Sequence, residues 1–375
     1  MFGGDMAQEL ETKTKIAIVG TGFGARVQIP GFLKIAGVEI CGVMSSGRYE
    51  RAEEVAQEFG IANVCHSYEE LLALPGLDAV SIVTPPYQHH SQTLAALEAG
   101  KHVLCEKPMA MNLQEAREMV KAVQRTGLIG MIDHEFRYIP ARAYAQELIR
   151  DGWLGELYWA NISTLTGTAA DPHTRPYGWL FQKSAGGGFL GALGSHYLDA
   201  LRCWFGEISA VLAQLSTFIK QRPLPGSNEL RDVDVDDSFT LLLKMASGAQ
   251  ATIKVSVVTR FGGGERIELY GSGGTLIIDS EGKLQGARAN DDRLQILPIP
   301  ARYTSGPSSS DPRLRPFVTL AEDFVEGIRA AKVAGKPLGQ EIEPSFADGL
   351  KVQQVLDAAR ASAETNCWVS LPPPR

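Results

Sequence analysis

The stretch IAIVGTGFGARVQIPGF, residues 16–32, constrains the fold more than any other part of the chain. An apolar strand runs directly into Gly20-x-Gly22-x-x-Ala25, and helical spacing follows. Glycine permits the tight turn and lets the main chain approach a pyrophosphate, which then rests on free N–H groups at a helix N-terminus. By itself such a glycine pattern is weak; the surrounding residues give it weight. VEICGVMS (38–45), DAVSIVT (78–84) and HVLCE (102–106) read as apolar strands, and RAEEVAQEFG (51–60) and HSQTLAALEAG (90–100) as helices stopped by a glycine. Strands and helices alternating in this way predict a parallel sheet covered on both faces, an α/β dinucleotide-binding domain.

Beyond residue 155 the pattern changes. In SFTLLLKM, Phe239, Leu241, Leu243 and Met245 alternate with Ser238, Thr240 and Lys244, with Leu242 the exception. ATIKVSVV and AVLAQLSTFIK alternate similarly, which predicts half-buried antiparallel strands. Two closing helices are expected near 316–333 and 345–364, with exposed loops at 222–229 and 304–312. The chain therefore divides into a loose extension at 1–13, a dinucleotide-binding domain at 14–135, and an α+β domain at 136–375.

Composition narrows the partners. A formal net charge of −7 offers no basic field for a phosphate backbone, so no nucleic acid is expected. The five cysteines are scattered and never form C-x-x-C, against a zinc site or disulfide framework. DVDVDD (232–237) alternates with Val233 and Val235, which turns its carboxylates outward, and no metal is expected. The N-terminal residues lack the basic start and apolar core of a signal peptide, and no apolar run spans a bilayer, so the expected location is cytoplasmic.

The tip of the second strand reports on the cofactor. An NAD site usually places Asp or Glu there, to accept from the ribose 2′-hydroxyl. Here the tip reads Met44-Ser45-Ser46-Gly47-Arg48-Tyr49-Glu50-Arg51, with hydroxyls and guanidinium groups in place of a carboxylate at the strand end. Arg48 or Arg51 would attract a 2′-phosphate, so NADP is expected, with NAD as the alternative.

CEKPMA, residues 105–110, places Glu106, Lys107 and Pro108 at the carboxyl end of the fifth strand, the edge where ligands lie in an open α/β sheet. A lysine there can donate to a substrate oxygen and stabilise developing alkoxide charge. The bland reading is a surface ion pair.

With AGKHVLCEKPMA and GGGFLGALGSHYLDALRCWFGE, the chain resembles the Gfo/Idh/MocA family of NAD(P)-dependent oxidoreductases across nearly its whole length. The resemblance implies a Rossmann domain, a second domain on a largely antiparallel open sheet, and homodimers or homotetramers through that sheet. It also implies hydride transfer between NAD(P) and a hydroxyl or carbonyl of a sugar, cyclitol or related polyol. Lys107 falls on the family's catalytic lysine and His196 on its catalytic histidine. The expected cofactor set is Gly20, Gly22, Phe23, Gly24, Ala25, Ser45, Ser46, Arg48 and Arg51, with Thr84, Pro85, His89, Glu106 and Lys107.

One departure stands out. The family's full set reads Gly-Gly-x-Leu-x-Asp-x-Gly-x-His, and here the aspartate is Ala192. Asp199, three residues after His196, is a candidate to orient the imidazole. His134, Arg137, Tyr138, Arg175, Tyr177 and Tyr197 are the other candidate substrate contacts, with Arg137 alternatively held by a neighbouring carboxylate. The missing aspartate also sustains a second reading, a catalytically silent NADP-binding sensor of a metabolite or partner.

Overall fold

The computed structural model describes residues 13–45, 47, 49–305, 311–335 and 342–372. The loose extension expected at 1–13 lies, except for Lys13, outside the described residues, as do Ser46 and Arg48.

Six short strands, β1 (Thr14–Val19), β2 (Val38–Met44), β3 (Asn63–Val64), β4 (Ala79–Ile82), β5 (His102–Cys105) and β6 (Gly130–Ile132), form one parallel sheet in the order 3-2-1-4-5-6. This is the doubly wound order, whose switch point between β1 and β4 opens a crevice at the carboxyl ends of the strands. The side chains of β1, β4, β5 and β6 are buried on both faces nearly throughout, so these strands read as continuous apolar runs. Apolar residues of both faces form two clusters, one on each side of the sheet.

The second sheet has nine strands: β7 (Leu157–Leu165), β8 (Ile208–Ser216), β11 (Ser238–Met245), β12 (Gln250–Ser256), β13 (Gly264–Gly271), β14 (Gly274–Ile278), β15 (Leu284–Arg288), β16 (Gln295–Ile296) and β17 (Val369–Ser370). A separate hairpin pairs β9 (Gln221–Pro223) with β10 (Leu230–Asp232). All neighbours in the nine-stranded sheet are antiparallel except β7 and β12. Phe239, Leu241, Leu243 and Met245 are buried while Leu242 is exposed, as the alternation in SFTLLLKM requires.

Three expectations need correction. The helix Leu314–Ala334 does not join the second domain's core: Phe317, Leu320, Phe324 and Ile328 pack with Ile16, Ile18 and Phe32 of the parallel-sheet domain. The chain thus returns to pack on its first domain. Residues 222–229 are not all exposed loop. Arg222 is fully buried on β9, donates to the carbonyls of Arg175 and Ala169, and lies 4.1 Å from the Phe181 ring centroid. Third, DVDVDD forms a strand only at its first residue, and two of its carboxylates turn inward. Asp236 accepts from the Leu190 N–H at 2.7 Å, and Asp237 from the N–H groups of Phe218 and Ile219 at 2.9 and 2.8 Å. Alternation turned Val233 and Val235 inward, but loop amides claimed the later acids.

Candidate active site

The glycine loop uses its three glycines differently. Gly20 has φ +117°, and a Cβ there would stand 2.4 Å from the Val83 carbonyl oxygen. A Cβ on Gly24 would meet Ile18 at 3.0 Å, whereas one on Gly22 would find nothing within 4 Å. Gly20 and Gly24 therefore hold the turn against the sheet. Gly22 lines open space, which fits a group as large as a pyrophosphate lying over the turn. A π-helical turn, Gly24–Gln28, precedes the helix Ile29–Phe32, and Ala25 is buried within it. Phe23 lines the interdomain cleft, with Arg26 and Arg313 5.9 and 5.1 Å from its ring centroid.

At the tip of β2, the Ser45 hydroxyl accepts from Thr21 at 2.9 Å, tying strand end to glycine loop. Arg51 is solvent-facing and pairs with Glu54 at 2.8 Å. Thr84 lines the cleft, and its hydroxyl donates to Gln92 at 2.8 Å; Pro86, rather than Pro85, reaches the cleft. His89 is fully buried, with ring nitrogens 3.0 and 2.8 Å from the carbonyl oxygens of Pro108 and Thr84. It braces two loops from behind instead of edging the cleft.

Glu106 and Lys107 follow β5 into a cleft of about 230 Å³. Gln28 Nε2 donates to Glu106 at 3.1 Å and to Asp133 at 2.8 Å, while Ser81 donates to Gln28 Oε1 at 2.5 Å. Burial, and then repulsion from Glu106 and Glu135, pushes the Asp133 carboxyl well above its usual range. Burial raises Glu106 too, with Lys107 opposing. Lys107 itself reaches across the cleft, where Nζ donates to the Ala192 carbonyl at 2.9 Å. Ala192 lies in a second π-helical turn, Leu190–Gly194, leading into the helix Ser195–Phe205 that carries His196.

His196 stacks on Phe136 with ring centroids 3.8 Å apart and planes 10° from parallel. Its Nε2 stands 3.8 Å from Glu135 Oε2. Burial, followed by the charge of Lys107, holds the imidazole well below its ordinary value, so it is neutral at neutral pH. Glu135 moves oppositely: burial pushes it up to about 8, with Lys107 pulling it down. In HEFRY, residues 134–138, Glu135 and Phe136 stand out less than His134, Arg137 and Tyr138, whose side chains carry the more familiar chemistry.

The remaining candidates divide. Arg175 lines the cleft, as does Trp179 from the same stretch; Tyr177 packs against the second domain's core. Asp199 does not orient His196. It binds the Arg137 guanidinium at 2.7 and 2.6 Å and lies 3.9 Å from His134 Nε2. Burial opposes ionisation there, yet His134 and Arg137 hold Asp199 below the usual carboxylate range. His134 is buried beside this pair, its imidazole lowered to about 4 by burial. Tyr138 donates to Asp323 at 2.7 Å and, with Arg137, borders a different hollow. Tyr197 is buried, with its hydroxyl 2.6 Å from both Thr164 and Glu265. Adjacent helical residues point about 100° apart, so His196 in the cleft turns Tyr197 toward the sheet.

Residues 14–134 match the oxidoreductase family model described as having an NAD-binding Rossmann fold, and residues 143–277 match the GFO/IDH/MocA C-terminal domain. The chain belongs to the GFO/IDH/MocA family of oxidoreductases. It is 32% identical over 362 residues to the levoglucosan dehydrogenase of Pseudarthrobacter phenanthrenivorans, covering 88% of this chain and 89% of that one. An uncharacterized oxidoreductase of Synechocystis is also 32% identical, over 95% and 96% of the two chains. Among solved structures, levoglucosan dehydrogenase in complex with NADH and L-sorbose superposes with a TM-score of 0.86 at 30% identity, covering 96% of this chain and 99% of that one. No helix among the described residues is long and apolar enough to cross a membrane.

Proposed function

We propose that this protein transfers hydride between NADP(H) and a hydroxyl or carbonyl carbon of a sugar, anhydro sugar or related polyol. The observation that carries this reading is the convergence of Lys107 and His196 on one cleft that Phe23 of the glycine loop also lines. Similarity to levoglucosan dehydrogenase, to the 1,5-anhydro-D-fructose reductase of Ensifer adhaerens and to the D-apiose dehydrogenase of Paraburkholderia graminis supports the substrate class.

The nicotinamide, when bound, supplies the hydride acceptor or donor. Gly20, Gly22 and Gly24 shape the turn that would carry the pyrophosphate, with Phe23 and Thr84 along the cleft wall. Lys107 donates to the reacting oxygen and stabilises negative charge developing there. Held by the Ala192 carbonyl, its ammonium starts in place and exchanges one acceptor for another. His196, neutral and backed by Phe136, exchanges the proton of that oxygen. Arg175 and Trp179 face the same space from the second domain, where they would contact the rest of the substrate.

The preference for NADP over NAD rests on the β2 tip, where Ser45 carries a hydroxyl and no acid stands between Met44 and Tyr49. The relative that supports the substrate class was captured with NADH, so the cofactor assignment needs its own measurement. Assembly is proposed through the outer face of the nine-stranded sheet, where exposed Trp159 and Tyr270 pair across β7 and β13, with Leu242 exposed on β11. The decisive experiment is an absorbance assay with NADP⁺ and NAD⁺ against levoglucosan, other anhydro sugars, polyols and, with the reduced cofactors, keto sugars. Binding of either dinucleotide without turnover across that panel favours the silent sensor.

A further inference from the structure

Glu135 is 2% exposed, yet it lines the cleft together with Lys107 and His196. Its Oε2 has no hydrogen-bond partner among the described residues, and neither does the buried Nδ1 of His196. A buried polar atom without a partner is costly, and most buried polar groups avoid that state. Here the two orphan-bearing groups face each other, with Nε2 3.8 Å from Oε2, at the wall of the cleft where a substrate oxygen would lie. Such a pair is one short approach from sharing a proton.

We propose that Glu135 is the relay carboxylate of this active site: it takes from His196 the proton that the reaction releases, and returns it in the reverse direction. This rests on the oxidoreductase reading above. In the oxidation direction the carbinol C–H bond breaks and its electron pair goes with the hydrogen to the nicotinamide. The O–H bond also breaks, its electron pair becoming the second C–O bond of the carbonyl. The proton goes to His196 Nε2, while Nδ1 keeps its own, and then from Nε2–H to the Glu135 carboxylate. Glu135 releases it to solvent when the cleft opens for product to leave. Each step conserves charge, and the only co-reactant is the dinucleotide.

The surrounding charges suit this role. Glu106 and Lys107 face Glu135 from the end of β5, Asp133 from the end of β6, His196 from its helix, and Arg313 from the turn before Leu314. Lys107 and Arg313 favour the carboxylate; burial, Glu106 and Asp133 favour the acid. The balance raises Glu135 to about 8, where either form is available near neutral pH. The neutral imidazole, having no stable charge of its own, passes a proton without retaining it. Ala192, in the turn that carries the His196 helix, brings only a methyl group, and the carboxylate beside His196 comes from the turn after β6.

The test compares wild type, Glu135→Gln and Glu135→Asp in three measurements: kcat against pH with the sugar panel, dinucleotide affinity by fluorescence, and the ¹³C carboxyl titration of glutamate-labelled wild-type protein. Glu135→Gln should lower kcat by about 10² to 10⁴, leave dinucleotide affinity near wild type, and erase the ionisation limb near pH 8. The carboxyl resonance that Glu135→Gln removes should titrate well above the ordinary glutamate range, and Glu135→Asp should restore part of the rate and its pH limb. A Gln variant with the wild-type rate and profile overturns the relay. So does a Glu135 resonance with an ordinary midpoint, which can be measured even if the Gln variant fails to fold, with Glu135→Asp supplying the assignment. Wild-type protein that binds dinucleotide but turns over no member of the panel removes the oxidoreductase reading and the relay with it; that failure is distinct because it precedes any mutation.

Discussion

Lys107 Nζ donates to the main-chain carbonyl of Ala192, 2.9 Å across the interdomain cleft. The contact links the end of a parallel strand in one domain to a π-helical turn in the other, and it uses the backbone of Ala192, whose side chain is only a methyl group. Lys107→Ala should reduce kcat by about 10² to 10³, the scale for removing one donor to a developing oxyanion. Dinucleotide affinity should stay close to wild type, because the glycine loop is held by other residues. Steady-state kinetics with a parallel fluorescence titration checks both halves.

Ala192→Asp keeps the carbonyl and adds an acid beside Lys107 and His196. A nearby negative charge favours the imidazolium, so the pKa of His196, which burial now holds low, should rise. The His196-dependent limb of the pH–rate profile should therefore move to higher pH. An unchanged profile would mean that His196 does not exchange the reaction proton.

Replacing Arg48 and Arg51 together by alanine should weaken NADPH binding by about 10- to 100-fold, the loss of one charge-assisted hydrogen bond, and leave NADH binding nearly unchanged. Comparative fluorescence titration decides this, and a wild-type preference for NADH would sink the NADP assignment.

The pH dependence of stability carries a separate signature. Glu135 is raised to about 8 in the folded protein, against about 4.3 in an unfolded chain. Between those values the folded state binds more protons than the unfolded state, so the contribution of Glu135 is fully present below the unfolded value and is lost as pH rises through the folded one. Glu135→Gln should remove that decline, so its melting temperature should gain on wild type steadily from about pH 5 to 8. Asp199 works in the opposite sense. Its depressed folded value makes its contribution present at neutral pH and lost as pH falls through the acid range.

What the sequence disclosed was local. The glycine turn, the apolar parallel strands, the alternation in β11 and the delivery of Lys107 to a sheet edge each depend on a few consecutive residues. Those features were legible because backbone geometry and burial act over that range. The departures all depend on a distant partner. Arg137 and Asp199 are each plausible in a cleft until they meet as a buried pair, and the helix Leu314–Ala334 carries an apolar stripe that does not say which sheet it covers. Glu135 is an ordinary acid in HEFRY until folding removes water and sets His196 opposite.

The glycine loop offers a prediction in which two similar substitutions part company. Gly20→Ala forces a methyl group to within 2.4 Å of the Val83 carbonyl at a φ of +117°, which side-chain-bearing residues rarely adopt. The β1 turn would have to shift against the sheet, costing about 1–3 kcal/mol for the strained backbone alone, and melting temperature should fall. Gly22→Ala places its methyl group in open space, with nothing within 4 Å. Stability should therefore hold within about 0.5 kcal/mol, as for a surface substitution. If the pyrophosphate rests over Gly22, that same methyl occupies its place, and dinucleotide affinity should drop by about tenfold or more even though the fold is intact, a 1.4 kcal/mol loss. Thermal melts and fluorescence titrations on the two variants separate the outcomes: a Gly22→Ala protein that binds dinucleotide as well as wild type would place the cofactor elsewhere than over this turn.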